Sequence, residues 1–189
     1  MTVSTRIRFT YRDYKSIPET DPRRFELLDG ELVMVPAPSV LHQRVVRNLT
    51  YLLWSFVRRR RLGWVFASPI DVVLEKDEEE VDVVQPDVLF ISRERGHIMH
   101  HDEIRGAPDL VVEVLSPVTE ARDRGYKRTL YTRHGVKEYW LVDPEKQTLE
   151  VYTLTPRGLE LTARYQSGQK ARSPLLGLEF PADQIFAEW

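Results

Sequence analysis

The sequence predicts an α/β fold of the α+β sandwich type, a mixed β-sheet flanked by helices, on two observations. Hydrophobic spacing switches along the chain in the order helix, strands, helix, strand, without the regular alternation of a doubly wound fold. One segment, Leu110-Val111-Val112-Glu113-Val114-Leu115, is nearly continuous apolar, as a strand buried on both faces should be. With 189 residues, 42% hydrophobic and 30% charged, the chain suits one packed domain over 1–189, large enough to bury a core.

Thr10 can cap a short helix through Lys15, which Pro18 ends. Phe25–Leu28 and Glu31–Val35 flank Asp29-Gly30, a dipeptide that reads as a tight hairpin turn. Pro36-Ala37-Pro38 breaks the strand, and Ser39 stands where an N-cap belongs. A long helix follows to about Arg61, with Val45, Leu49, Leu52, Leu53 and Phe56 at helical spacing and Gly63 as its stop. Strands are then expected at Trp64–Phe66, Ile70–Leu74, Val88–Ile91 and Leu110–Leu115, with an acidic turn at Asp77–Glu80. Thr119 can cap a second helix running to about His134 and stopped by Gly135. A strand at Glu138–Val142 follows, then a closing hairpin from Leu149–Leu154 and Leu159–Tyr165, then a mostly irregular tail from Ser173.

Composition removes several function classes. Without cysteine there is no disulfide, thiolate zinc site or cysteine nucleophile, and a reducing cytoplasm is compatible. Met1–Arg6 has no signal-peptide core, and no stretch approaches the roughly 18 apolar residues of a membrane span, so a soluble cytoplasmic protein is expected. The net charge of −2 argues against a general polyanion coat but leaves room for a basic or metal-filled cleft. No GxSxG elbow, GxxxxGK[ST] phosphate loop or GxGxxG fingerprint is present.

Three residues carry the candidate chemistry. Glu113, inside its apolar run, must sit beside a cation, hold its proton, or meet water at a sheet margin, because burying it ionised and alone costs several kcal/mol, roughly. Asp87 opens the Val88–Ile91 strand. Paired with Glu113 it would offer a hard cation two carboxylates, and read alone it is a strand-entry turn after Pro86. Lys127 lies on the helix after the Glu113 strand. It either faces these acids, where it would orient or deprotonate a water or stabilise phosphoryl charge, or forms a surface i,i+4 pair with Asp123. His97, His100 and His101 cluster near Gly96 without regular ligand spacing. Arg58-Arg59-Arg60-Arg61 could meet phosphates or simply end a solvated helix.

Several segments together resemble the Uma2 family: Glu26–Leu32, Pro38-Ser39 with His42, Gln85-Pro86-Asp87, Gly106–Pro117, Arg122–Lys127 and Glu138–Pro144. The resemblance runs from about Phe25 to Tyr152, leaving a C-terminal hairpin and tail over 153–189. That family is similar to the PD-(D/E)XK nucleases, so the resemblance implies a restriction-endonuclease-like core and a Mg²⁺-dependent endonuclease acting on DNA, with Mn²⁺ as a substitute ion. It implies that Asp87 and Glu113 are the metal-binding acids, that Glu31 offers a further acid from the first hairpin, and that Lys127 completes the catalytic set. Lys127 is needed because Leu115 stands two residues after Glu113, where the superfamily pattern has its lysine. His42, Arg58 and Arg59 are the expected nucleic-acid contacts, and a homodimer would serve double-strand cutting. The rival expectation is a nuclease-fold module that binds nucleic acid or protein without turnover.

Overall fold

The computed structural model describes residues 7–18, 20–75 and 80–188. Thr10 caps α1 (Tyr11–Lys15) in a reciprocal box with Asp13. Strands β1 (Arg24–Leu28) and β2 (Glu31–Val35) form the expected hairpin, and both turn residues, Asp29 and Gly30, take positive φ, as a type I′ turn demands. The long helix α2 (Val40–Arg60) starts where Ser39 Oγ accepts the His42 N–H. Its end differs in detail from expectation. Arg61, not Gly63, takes the left-handed conformation, while Gly63 opens β3 (Gly63–Ala67) so close to the neighbouring strand that a Cβ would lie 2.0 Å from the Ile91 carbonyl oxygen.

Strands β4 (Asp71–Glu75), β6 (Val88–Ser92), β8 (Leu110–Val114) and β9 (Glu138–Asp143) lie where hydrophobic spacing places them. Two short strands went unread: β5 (Val81–Val84), whose Asp82 breaks the apolar pattern, and the three-residue β7 (Glu103–Arg105). Of the expected acidic turn, Asp77–Glu79 lie outside the described residues. The hairpin β10 (Thr148–Thr155) and β11 (Gly158–Gln166) closes the main sheet.

Two mixed sheets result, ordered β2-β1-β5-β4-β7 and β11-β10-β9-β8-β6-β3. In the six-stranded sheet β8 runs parallel to β9 and antiparallel to β6. Alternation along β8 sends Leu110, Val112 and Val114 to the face covered by α2, and Val111 and Leu115 to the face shared with the five-stranded sheet. This burial on both faces explains the continuous apolar run.

The second helix is not continuous. Between α3 (Glu120–Arg122) and α4 (Arg128–Arg133) the chain widens into a π-helical turn over Asp123–Lys127, the local distortion that often marks functional sites. Thr119 does not cap it through its side chain. Its hydroxyl instead meets Ser116.

The tail from Ser173 also departs from expectation. With β12 (Lys170–Ser173), β13 (Leu178–Pro181) and α5 (Asp183–Phe186), it contributes Leu178, Phe180, Ile185 and Phe186 to the core beside α2. Its anchor is Glu138, fully buried, whose carboxylate accepts hydrogen bonds from Ser173 Oγ (2.6 Å), Trp140 Nε1 (2.7 Å) and the Leu175 N–H (2.8 Å). Glu138→Ala strands these donors. At about 1–3 kcal/mol for each unsatisfied group, we expect a loss of roughly 3 kcal/mol or more, read by urea unfolding. A loss under about 1 kcal/mol would mean that water replaces the carboxylate and that the tail is not anchored there.

Candidate active site

Asp87 and Glu113 meet because of strand register. Val88 pairs with Val112, so one step further Asp87 stands across from Glu113, on the face that carries Leu89 and Val111. Asp87 is fixed there by the Val114 N–H, which donates to its Oδ2 at 2.8 Å. Glu113 is 4% exposed, so the sheet-margin reading fails and burial near a cation holds instead. Its Oε1 accepts from Lys127 Nζ at 3.0 Å and from the Tyr131 hydroxyl at 2.8 Å, leaving Oε2 without a protein hydrogen bond among the described residues.

Lys127 faces the acids and is not part of a surface pair: it is 3% exposed. The i,i+4 pair with Asp123 exists at 3.7 Å, but both partners are buried. The ammonium lies closer to Glu113 and to Glu26, whose Oε1 is 2.8 Å away. Burial alone would strip its proton, yet Glu113 and Glu26 outweigh that and raise its pKa. Lys127 is therefore held in its positively charged form at neutral pH.

The proton in this cluster rests on Glu113. Burial pushes its pKa up to about 8 against the pull of Lys127, with Asp123, Asp87 and Glu26 adding repulsion. Glu26 is also buried, but Lys127, the Gln85 N–H and Arg122 overcome the burial and keep it ionised. Burial raises Asp123 as well.

Glu26 is the acid that sequence reasoning missed. The same signal that exposed Glu113, a carboxylate inside an apolar strand, was present in Phe25-Glu26-Leu27-Leu28. Glu31, the acid expected from this hairpin, is exposed on β2 next to the turn and does not line the cavity that the other acids share. Glu26, on β1, lines it.

That cavity, of about 310 Å³, gathers Asp87, Glu113, Lys127, Asp123 and Glu26. His42 joins them from the first turn of α2, with Nε2 3.3 Å from Asp87 Oδ2. Burial disfavours its charge, but the Asp87 carboxylate prevails and the pKa is raised. Arg58 and Arg59 do not reach the cavity. They lie sixteen residues and more beyond His42, about 24 Å along the helix axis, where Arg58 stacks over Trp54. Of the histidine cluster, His97 sits in a 3₁₀ turn (Arg93–Ile98), and His100 and His101 are exposed, His101 against Asp102.

A divalent cation suits the donor set. Five carboxylates, those of Glu26, Asp87, Glu113, Asp123 and Glu145, line the cavity together with Lys127, His42, Arg24 and Arg122, while Glu26 Oε2 and Asp123 Oδ1 are buried without a hydrogen-bond partner. Among the described residues no group of three or more His, Asp or Glu is placed to hold a metal ion, so the protein would supply fewer ligands than that. Two carboxylates with substrate and water oxygens match the ordinary habit of Mg²⁺.

The fold is of the mixed α+β class, two mixed sheets flanked by helices. A crystal structure from Anabaena variabilis described as "a putative nuclease belonging to DUF820" shares this fold, with a TM-score of 0.76 and 22% identity, covering 94% of this chain and 97% of its own. The profile of Uma2, described as "Putative restriction endonuclease", matches residues 11–183, and the chain belongs to the Uma2 family. Two uncharacterized proteins of Synechocystis sp. are similar to it. One is 39% identical over 80 residues, 42% of either chain; the other is 27% identical over 153 residues, 80% of this chain and 84% of its own. No helix among the described residues is long and apolar enough to cross a membrane.

Proposed function

We propose that this protein is a cytoplasmic Mg²⁺-dependent endonuclease that hydrolyses phosphodiester bonds of DNA. The observation that carries the reading is the convergence of Asp87 and Glu113, from adjacent strands, on one cavity where Lys127 is pinned to Glu113. Membership of a family described as "Putative restriction endonuclease" supports it.

Asp87 and Glu113 would hold the ion, Mg²⁺ or in its place Mn²⁺, through the oxygens that make no protein hydrogen bond. Such an ion supplies Lewis acidity to the phosphoryl oxygens and lowers the pKa of an attacking water. Lys127 holds Glu113 and Glu26 together and offers positive charge where the phosphoryl group accumulates negative charge. Tyr131 fixes the rotamer of Glu113 from below. His42 orients Asp87. Cutting both strands of a duplex takes two such sites, which a homodimer would supply.

The alternative, a nuclease fold that binds nucleic acid or protein without turnover, draws on one feature: three carboxylates already surround the Lys127 ammonium. Digestion of supercoiled and single-stranded DNA separates the two. We expect cleavage with Mg²⁺ or Mn²⁺, none with chelator, and none from Glu113→Ala. Equal cleavage by parent and Glu113→Ala would expose a contaminant and end the assignment of this site. Binding without any cleavage would favour the alternative.

A further inference from the structure

Two guanidinium groups at the cavity donate no hydrogen bond to any described residue. Arg24, two residues before Glu26 and on the same face of β1, lines the cavity and makes no hydrogen bond or ion pair with any described residue. Arg122 closes α3 immediately before the π-helical turn and lines the same cavity. Its one ionic contact is a loose 3.8 Å approach to Glu26 Oε2, and its Nε is buried with no hydrogen-bond partner. A buried N–H donor left unpaired is unfavourable, so a structure that keeps one calls for an acceptor from outside the chain.

Neighbouring arginines of the same helical segment behave otherwise. Arg124 is committed to Glu120 and Glu150 at 2.8 and 2.7 Å, and it anchors the π-helical turn to β10. The free donors of Arg24 and Arg122 flank Glu26 at the cavity, beside the acids and Lys127. A planar fork of N–H donors next to a phosphoryl-transfer centre is suited to two oxygens of one phosphate.

We propose that Arg24 and Arg122 form a phosphate-binding subsite for the backbone of the nucleic-acid strand, gripping a phosphate next to the one that is cleaved. This rests on the nuclease reading for its choice of ligand, but not for its test. The two arginines bind and position. They do not take part in bond breaking.

The test is equilibrium binding of a fluorescent single-stranded oligodeoxynucleotide in EDTA, where no cleavage occurs, read by anisotropy over a range of salt. Arg24→Ala and Arg122→Ala should each weaken binding about tenfold or more, as expected when a charge-assisted hydrogen bond to phosphate is lost. Each should also lower the salt dependence by about one phosphate contact. Arg122→Lys should recover the salt slope but only part of the affinity, because an ammonium cannot reproduce the fork. Arg157→Ala, at the exposed β10–β11 turn, controls for general charge and should bind like the parent. Melting temperatures check that each variant folds, and Arg24, half-exposed and unbonded, keeps the test open should Arg122→Ala unfold.

Parent-like affinity and salt slope in both Arg24→Ala and Arg122→Ala would overturn the subsite. So would an equal loss in Arg157→Ala, or binding of inorganic phosphate but not of the oligonucleotide. Arginine-dependent binding by a protein that never cleaves DNA would leave the subsite standing and remove the nuclease reading. Cleavage with unchanged binding in the arginine variants would do the reverse.

Discussion

Replacing Lys127 by alanine should both unfold the protein more easily and abolish its chemistry. The ammonium is 3% exposed and lies between Glu26 and Glu113, so its removal leaves Glu26 ionised in a dry site beside an emptied volume. Breaking one side of a buried pair costs about 3–5 kcal/mol. Urea unfolding should register a loss of that order, and metal-dependent DNA cleavage should fall about 10²-fold or more. A second variant separates the two effects. Lys127→Met with Glu26→Gln removes both charges at similar volume and should regain most of the stability while remaining inactive. If Lys127→Ala cost under about 1 kcal/mol, the lysine would have to be solvated in solution. If the double variant were active, the lysine would have no role in the reaction.

Glu113→Gln should change the response to metal and to pH together. In the metal-free protein Glu113 keeps its proton up to about pH 8, whereas the unfolded chain releases it near 4.5. Between those values the folded state binds the extra proton, so this group's contribution is fully present below about pH 4.5 and is lost as pH rises towards 8. Glutamine is neutral throughout and still accepts from Lys127 and Tyr131 through its oxygen. The variant should therefore melt no lower than the parent without metal, with a flatter pH profile over that window.

A divalent ion held by Glu113, as proposed, would displace its proton, so the parent's metal affinity should rise with pH up to about 8. At a hundred times the dissociation constant, an ion that binds only the folded state adds about 2.7 kcal/mol. For a chain of this length that is a rise in melting temperature of roughly 5 to 10 °C. In Glu113→Gln the rise should shrink or vanish. Thermal scans with Mg²⁺, Mn²⁺ and EDTA at two pH values decide it, and an undiminished metal response in the variant would show that Glu113 is no ligand.

Elements whose signal is local are legible from the residues alone. The α2 stripe, the Asp29-Gly30 turn, the Ser39 cap and the doubly buried β8 each follow from spacing or turn chemistry within a few residues. Glu113 also stands out there, because a carboxylate in an apolar strand is an anomaly that needs no neighbour to be seen, whereas Asp87 and Lys127, ambiguous when read alone, are picked out by the resemblance to the Uma2 family. Only the tertiary structure decided which acids share the cavity. Glu26 and Glu31 lie on the same hairpin, and the pairing of β1 with β5, with Lys127 reaching across, selects the first over the second. It also decided that Lys127 is buried, since a helical lysine looks alike in sequence whether its face meets water or a second sheet. Short strands such as β5 and the C-terminal pair β12–β13 escape because four residues carry too little periodic signal, although their ladders are local, β5 with β4 and β12 with β13. What holds the C-terminal pair in place is distant, since Glu138 reaches Ser173 across 35 residues that no local pattern connects.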